Sequence, residues 1–380
     1  MVTLGIDRVG KYGSLLKGQR LGLITNYSGV DSRLEESLDV ILEAGYQVVK
    51  LFTPEHGLYG AMDGAAVDDS IHPKHKIPII SLYGDHVKPT AEDLAGVDLL
   101  VYDIQDVGLR YYTFIYTLAN CMQAANECGI GVVVLDRPNP LGNRVSGNRI
   151  SKEISSFVGD HALALRYGLT PGELGYYFKA YLNLTNLSYS VIPMEGYRAD
   201  MFWPETGQLW NVPSPSIHTF QSTICYVGGC FFEATNVSEG RGTSEPFQMY
   251  GAPYINMDQL MDELKQRVHC EGLAMRKRAF TPFWSKHEGK TCFGVEFIPT
   301  KYDIDFLPVA LITMKTIKDL YPNDFEFRSY ADVSRLSKLS GDQTADEYLA
   351  DELSLEELLA GWQKQADEFA AEVKGMRIYE

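Results

Sequence analysis

Short, almost continuously apolar runs recur through the first part of the chain, and they constrain the fold more than any other feature. Polar loops or stretches with helical spacing of apolar residues separate them. Strands that are apolar on both faces are typical of a parallel sheet covered by helices on both sides. The runs are residues 20–25, 48–52, 77–82, 99–104 and 131–135. They predict an α/β fold with a mainly parallel sheet and helices on both faces.

The pattern of apolar residues changes near residue 250, where we place a domain boundary. We expect residues 1–250 to form an α/β domain that carries the strand ends of a site, and residues 251–380 to form a smaller α+β domain. Helices are predicted over residues 34–44, 112–128 and 171–181, and Thr170, Pro171 and Glu173 have the form of a helix start. In the second domain we predict helices over 257–268, 307–320 and 355–373 and strands over 273–283 and 291–298.

Polar side chains follow the predicted strands at the point where each strand ends. In open α/β sheets, ligands bind at the carboxyl ends of the strands. A further apolar run, residues 225–232, predicts a buried strand that leads into the polar segment 236–243. Because such ends share one edge of the sheet, we predict one convergent site. The polar groups are Asn26, Glu55 with His56, Asp103 with Asp106, Asp136 with Arg137, and Glu239 with Arg241.

Glu55 and His56 follow a proline at the end of the second run. A general acid must hold its proton at neutral pH, and desolvation in a partly apolar cleft favours the protonated carboxyl. Glu55 is therefore a candidate acid, and His56 is a candidate ligand-binding residue. The structural alternative is a loop glutamate beside a histidine that caps a turn.

The segment 103–112 carries two carboxylates, an arginine and two tyrosines. Carboxylates with tyrosines suit sugar hydroxyls, and carboxylates could equally hold Mg²⁺. In the structural alternative, Asp103 caps a turn and Arg110 forms a salt bridge with Asp106. For Arg137 a structural role is favoured, as the anchor of a proline-stiffened loop. The binding candidates from these stretches are Asp103, Asp106, Arg110, Tyr111, Tyr112 and Arg137.

The polar segment 236–243 combines a glutamate, an arginine and small hydroxyls between glycines. Glycines on both sides of Arg241 permit sharp turns that hold polar side chains together. Glu239 and Glu55 could flank a glycosidic bond, and Arg241 could bind an anionic group through two parallel hydrogen bonds. A surface turn is the structural alternative. The binding candidates here are Asn236, Ser238, Arg241 and Thr243, with the proline-rich loop 212–217 expected over the site.

Composition argues against several functional classes. The chain has 34 Lys and Arg against 50 Asp and Glu, and this net charge of −16 argues against non-specific nucleic-acid binding. The G-x-G-x-x-G fingerprint, the Walker A loop and zinc-like Cys/His spacings are absent, so we expect no cofactor and no metal.

No apolar run is long enough to span a membrane. The N-terminus has no signal-peptide pattern, which predicts a cytoplasmic protein, or a secreted or periplasmic one if a signal was removed.

Several long motifs together resemble one family. They are TPEHG at 53–57, VYDIQDVGLRYYTF at 101–114, LDRPNPLG at 135–142, GLTPGELGYYF at 168–178, VPSPSI at 212–217 and TNVSEGRGTSEPFQMYGAP at 235–253. In this order they are similar to the exo-β-N-acetylmuramidase (NamZ) family of glycoside hydrolases, formerly the DUF1343 domain of unknown function. The resemblance covers nearly the whole chain, and after residue 253 it is one of outline rather than of motif.

The resemblance implies a Rossmann-like N-terminal domain, a smaller C-terminal domain and an active site in the cleft between them. It implies an exo-acting enzyme that releases N-acetylmuramic acid from non-reducing ends of peptidoglycan fragments in bacterial cell-wall recycling. The family's catalytic glutamates fall on Glu55 and Glu239, one as acid and the other as base or nucleophile. Arg241 or Arg137 would bind the lactyl carboxylate. The implied partner is a peptidoglycan-derived saccharide, and a homodimer is a possible assembly.

Two other classes of function stay open at this point. A metal-dependent hydrolase would use Glu55, His56, Asp103 and Asp106 as ligands. A non-catalytic muropeptide-binding protein would keep the cleft and its aromatic residues without turnover. The paired glutamates favour an enzyme, and retaining, inverting and acetamido-assisted mechanisms are all compatible with this sequence.

Overall fold

The structure, a computed structural model, describes residues 1–61, 68–330 and 333–380. The strands are β1 Arg20–Thr25, β2 Gln47–Thr53, β3 Ser70–Ile71, β4 Pro78–Ser81, β5 Leu99–Asp103, β6 Gly131–Leu135, β7 Ser146–Arg149, β8 Ala164–Arg166, β9 Tyr189–Ile192, β10 Met249–Ala252, β11 Leu273–Phe280, β12 Cys292–Pro299, β13 Ser329–Tyr330 and β14 Val333–Ser334. The longest strands are β11 and β12, each of eight residues.

Helices connect and cover these strands. They are α1 Gly13–Leu16, α2 Ser37–Glu43, α3 Phe114–Cys128, α4 Pro171–Tyr181, α5 Trp203–Thr206, α6 Phe220–Gly229, α7 Met257–Arg267, α8 Phe306–Leu320, α9 Arg335–Ser340, α10 Thr344–Leu349 and α11 Leu355–Val373. Short 3₁₀ helices lie at Ile6–Tyr12, Lys152–Ile154, Cys230–Ala234 and Lys374–Met376. The start of α4 is the predicted one, because Thr170 Oγ1 accepts the Glu173 N–H at 3.2 Å and the Glu173 carboxylate accepts the Thr170 N–H at 2.9 Å.

The central sheet has seven strands within the described residues, in the order β3-β4-β2-β1-β5-β6-β9. Neighbouring strands pair in parallel, except that β3 is antiparallel to β4. The predicted strands at residues 20–25, 48–52, 77–82, 99–104 and 131–135 form its centre, and each predicted end lies within one residue of the observed one. The mainly parallel α/β sheet is therefore confirmed.

Both faces of this sheet are buried, each in a separate hydrophobic core. Leu100 and Val132 belong to a core that includes residues of α3 and α4, whereas Val101 and Val133 belong to a second core that includes residues of α2. Successive side chains of a strand point to opposite faces. Both sets must therefore be apolar, which explains why these strands are continuous rather than alternating apolar runs.

The strand predicted at residues 225–232 is wrong, because this run is helical. It lies in α6 and in the 3₁₀ helix that follows. Thr219 caps α6, since its Oγ1 accepts the Ser222 N–H at 3.1 Å. A short apolar run that is buried on all sides cannot be assigned to strand or helix from periodicity alone. Gly228 lets α8 approach closely, because a Cβ there would lie 2.7 Å from the Ala310 Cβ.

The C-terminal region is smaller and contains a three-stranded antiparallel sheet in the order β10-β12-β11. Helices α7 and α8 pack together beside it, as the predicted α+β class requires. The end of the chain returns to the first region, where α11 packs on β7 and β8. There the Tyr379 hydroxyl donates to Asp136 Oδ2 at 2.7 Å.

The domain boundary and the oligomeric state remain predictions. The antiparallel sheet begins at Met249, and the domain boundary near residue 250 stays a prediction. The homodimer also stays a prediction. Within the ranges that the structure describes, none of the helices combines the length and the apolar character that a membrane crossing needs.

Candidate active site

Glu55 lies just beyond β2, where the chain turns sharply. Gly57 donates its N–H to the Pro54 carbonyl at 3.0 Å, and His56 has a positive φ of 72°. Glu55 Oε2 accepts a hydrogen bond from the Thr113 hydroxyl at 2.8 Å. Thr113 directly precedes α3, so the TPEHG motif meets the distant YYTF motif at this carboxylate.

Glu239 lies in the connection between the 3₁₀ helix Cys230–Ala234 and β10. Ser238 exchanges two backbone hydrogen bonds with Gly251, at 2.8 and 3.0 Å, which fix the segment to the edge of β10. Gly240 and Gly242 have φ of 80° and 75°, in the left-handed region that favours glycine. A Cβ on Gly242 would also lie 2.3 Å from the Trp284 carbonyl oxygen. The S-E-G-R-G sequence thus shapes a tight turn around Glu239.

Two cations lie beside the Glu239 carboxylate, which is only 1% exposed. Its Oε2 is 2.6 Å from Lys286 Nζ, and its Oε1 is 3.5 Å from Arg241 Nε. Lys286 also donates to the carbonyls of Phe232 and Val237, each at 2.7 Å, so its three N–H groups are all engaged. Burial lowers the pKa of Lys286, and the charge of Glu239 opposes this.

Glu233 is a third, half-buried carboxylate of this site, and it is not among the residues predicted from the sequence. Arg241 donates to its Oε1 at 2.8 Å, and Arg335 donates to its Oε2 at 3.1 Å. Burial by itself disfavours the charged form, but the neighbouring guanidinium groups outweigh burial and hold the pKa of Glu233 below its usual value. The available signal was a lone glutamate directly after the apolar run 225–232.

Two adjoining cavities, of about 280 and 290 Å³, share Glu55, Glu233, Arg241 and Arg335. We call the first the aromatic cavity; its other lining residues include His56, Tyr83, Tyr111, Tyr112, Phe157, Ser214 and Tyr226. We call the second the basic cavity; its other lining residues are Glu239, Trp284, Ser285, Lys286 and Arg328. Glu55 and Glu239 therefore line one cavity, as a pair of catalytic carboxylates must. The loop 212–217 lies at the same site. Ser214 lines the aromatic cavity, and Arg241 donates a hydrogen bond to the Ser216 hydroxyl oxygen at 2.8 Å.

Glu55 and Glu239, two of the three carboxylates that line the basic cavity, differ in their surroundings. Glu55 accepts from a neutral hydroxyl, whereas Glu239 forms ion pairs with Lys286 and Arg241. Proton donation needs a carboxyl that can be protonated, and nucleophilic or base chemistry needs one that is charged. The arrangement can therefore supply both groups across one cavity.

Family models match almost the entire chain. The description "Exo-beta-N-acetylmuramidase NamZ, N-terminal" matches residues 21–221, and its C-terminal counterpart matches residues 224–379. The chain belongs to the NamZ family. Peptidoglycan beta-N-acetylmuramidase NamZ of Bacillus subtilis (strain 168) is 40% identical to it, over 100% of this chain and 91% of that relative. The resemblance drawn from the motifs is confirmed.

Two solved structures of DUF1343 family proteins from Bacteroides fragilis share the fold. One is 31% identical, with a TM-score of 0.90 over 100% of this chain and 99% of the other. The second is 26% identical, with a TM-score of 0.81 over the same shares. The fold class predicted from the sequence therefore agrees with that of experimental structures.

In this NamZ-family chain, Asp103 and Arg137 bind each other instead of lining the cleft. Arg137 donates through Nε and Nη2 to the Asp103 carboxylate at 2.6 and 2.8 Å, and Ser37 donates its hydroxyl to the same group. Arg137 also donates to the Val30 carbonyl at 2.7 Å. Both side chains are sealed from solvent. This geometry supports the structural role favoured for Arg137, and not a role in binding the lactyl carboxylate.

Asp106 and Arg110 are also buried, and the salt bridge of the structural alternative is not formed between these two described residues. Asp106 accepts from the Gly108 N–H at 2.8 Å and from the Tyr167 hydroxyl, and burial raises its pKa to about 6. Arg110 donates instead to backbone carbonyls, among them those of Asn148 at 2.8 Å and Ser340 at 2.7 Å. Burial lowers the pKa of Arg110 to about 10. Arg110 thus ties β7 to the end of α9.

The remaining predicted residues divide between loop-shaping and lining positions. Asn26 accepts from the Ser28 N–H at 2.9 Å and lines a separate small cavity, and Asn236 donates to the Asp324 carbonyl at 2.7 Å. Ser238 and Thr243 form hydrogen bonds within the Glu239 turn, with Gly240 as partner at 3.2 and 2.6 Å. The predicted residues that line the cleft are Glu55, His56, Tyr111, Tyr112, Glu239 and Arg241.

Proposed function

We propose that this protein is an exo-acting β-N-acetylmuramidase that releases N-acetylmuramic acid from the non-reducing ends of peptidoglycan fragments such as MurNAc-β-1,4-GlcNAc. One observation carries the proposal: Glu55 and Glu239, from distant parts of the chain, line the same cavity. The chain belongs to the NamZ family, and one relative in it is named as a peptidoglycan beta-N-acetylmuramidase. This membership supports the substrate class. The role would belong to cell-wall turnover.

We assign proton donation to Glu55 and the charged role to Glu239. Lys286 and Arg241 lie against Glu239 and complement a group that acts as base or nucleophile, whereas Glu55 accepts from the neutral Thr113 hydroxyl, so we place proton transfer to the leaving oxygen at Glu55. Glu239 would then attack the anomeric carbon, activate water or orient the 2-acetamido group as the nucleophile. The anomeric configuration of the released sugar, read by NMR, separates inversion from the other two routes.

His56, Tyr111, Tyr112 and the other aromatic residues of the aromatic cavity would hold the sugar rings. The Tyr111 hydroxyl donates to the carbonyls of Tyr226 and Val227, at 2.7 and 2.6 Å, so Tyr111 would act through its ring face. The metal-dependent alternative has less support, because it requires Asp103 and Asp106 to converge with Glu55. Asp103 is held by Arg137, and Asp106 is buried against Tyr167.

Hydrolysis of MurNAc-β-1,4-GlcNAc by the wild type, Glu55→Gln and Glu239→Gln tests the proposal. We expect the wild type to release free MurNAc, also with chelator present, and each variant to lose activity by about 10²–10⁴-fold. Glu195→Gln is the matched control, because this exposed glutamate forms ion pairs with Arg8 and Lys11 and should leave the rate unchanged.

Three outcomes would contradict parts of this proposal. A folded wild type that binds the disaccharide and releases nothing would favour the muropeptide-binding alternative. Loss of activity only with chelator would favour a metal-dependent enzyme. Full activity in both glutamine variants would mean that the catalytic carboxylates lie elsewhere.

A further inference from the structure

We infer that Arg328 binds the lactyl carboxylate of N-acetylmuramic acid and so gives the site its preference for muramic acid over glucosamine. This inference rests on the proposed function and names the group that selects its substrate. The lactyl carboxylate is the anionic group that distinguishes the two sugars. A site that selects for it needs a cation that faces the substrate and has no carboxylate of its own.

The other cations of the cleft are already engaged. Arg241 and Arg335 hold Glu233, and Arg241 also lies beside Glu239. Lys286 has three acceptors around its ammonium group, one of which is Glu239. A lactyl carboxylate that paired with one of these groups would compete with a protein carboxylate for the same positive charge.

Arg328 differs from these residues in both position and contacts. It lines the basic cavity together with Glu55 and Glu239, and its side chain is exposed. Its backbone N–H donates to the Ala234 carbonyl at 2.7 Å, which anchors the residue to the end of the 3₁₀ helix that carries Glu233. Among the described residues, its guanidinium has no hydrogen-bond, ion-pair or ring partner. The planar guanidinium can donate two parallel hydrogen bonds to one carboxylate.

The charge of the basic cavity also favours an anion. Its described lining residues include the cations Arg241, Lys286, Arg328 and Arg335 and the carboxylates Glu55, Glu233 and Glu239. One positive charge is left over even when Glu55 is ionised, and two are left over when it carries the catalytic proton. This excess occurs in a chain whose net charge is −16. Burial lowers the pKa of Lys286, and the positive charge of Arg328 lowers it further. The Arg328 guanidinium therefore acts electrostatically on the group that is paired with Glu239.

The test compares MurNAc-β-1,4-GlcNAc with its lactyl carboxamide, which has the same shape and no charge. Affinity is measured by calorimetry in the Glu55→Gln background, where the ligand survives, and kcat/KM is measured in the otherwise wild-type enzyme. We expect the acid to be favoured over the amide by roughly 10- to 100-fold before Arg328 is changed, as for a hydrogen-bonded charged pair. Arg328→Gln should bring this ratio close to one, because the acid loses more affinity and more kcat/KM than the amide does.

Two further variants make the result specific. Arg328→Lys keeps the charge but not the planar fork, and it should retain part of the preference. Arg198→Gln removes an exposed arginine that pairs with Asp200, and the wild-type ratio should survive there. An unchanged acid-to-amide ratio in folded Arg328→Gln overturns the inference. A wild type that hydrolyses neither compound overturns the proposed function instead, and the binding ratio still tests Arg328.

Discussion

Asp103 with Arg137 and Glu233 with Arg241 are both carboxylate–guanidinium pairs, but only the second pair opens onto a cavity. The Arg137 and Asp103 side chains are 3% and 0% exposed, whereas those of Arg241 and Glu233 are 21% and 16% exposed. The first pair satisfies itself at the ends of the central strands. In the second, each member has another charged neighbour, Arg335 for Glu233 and Glu239 for Arg241.

This difference separates charges that hold the fold from charges that can meet a ligand. The sealed pair makes its hydrogen bonds within the pair and to buried neighbours such as Ser37 and Val30, so a ligand cannot reach either charge. In the open cluster, cations and carboxylates line a cavity, so their electrostatic potential acts on any ligand that enters it. The residue types are the same in both pairs. The two cases differ in the exposure of the side chains and in the number of charged neighbours that each side chain has.

The largest expected effect comes from removing one partner of each pair. Arg137→Met leaves Asp103 buried without a cation and should lower the free energy of unfolding by about 3–5 kcal/mol. Arg241→Met should lower it by only about 1 kcal/mol, because Glu233 keeps Arg335 and Glu239 keeps Lys286. Urea denaturation of both variants measures the difference, and equal losses would contradict the distinction.

Asp106 sharpens the comparison, because it is a sealed carboxylate without a cation among its hydrogen-bond partners. Burial raises its pKa from 3.8 to about 6, so the folded state binds this proton more tightly than the unfolded state. Its contribution to stability is present below about pH 4 and is lost as the pH rises through about 6. The loss is at most about 3 kcal/mol.

We therefore expect the stability of the wild type relative to Asp106→Asn to fall across this pH window. Unfolding free energies of both proteins, measured at several pH values, give the difference directly. Asp200→Asn is the control, since this exposed carboxylate pairs with Arg198 at the surface and should show no such trend. A constant difference between wild type and Asp106→Asn would mean that this proton is not linked to folding.

The smallest of these effects concerns Glu233, which we regard as a positioning residue for Arg241 and Arg335. Glu233→Gln keeps an acceptor but removes the charge that orients the two guanidinium groups. We expect kcat to fall about tenfold, because Arg241 and Arg335 are held less well in position. We expect KM not to rise, because removing a negative charge from the cavity favours an anionic substrate. A rise in KM at constant kcat would instead indicate that Glu233 binds substrate directly.

Much of the fold could be predicted because its signals are local. The strand runs, the capping box of α4 and the helix 355–373 depend on neighbouring residues, and the structure has them where the sequence placed them. The strand prediction for residues 225–232 was wrong, because a run that is apolar on every side shows neither the helical nor the strand period. That error also hid Glu233, which belongs to the 3₁₀ helix after α6.

The sequence by itself determined the α/β class and the family and singled out the two glutamates that we propose as catalytic, because each depends on short motifs or on the period of apolar residues. Only the tertiary structure decided which polar residues face the cleft. Arg137 lies 34 positions from Asp103, and Arg335 lies 102 positions from Glu233. Whether a charge is sealed or open depends on partners that distant, and no local pattern encodes them. For that reason Asp103 and Arg137 belong to the scaffold, and Glu233, Lys286 and Arg328 belong to the candidate site.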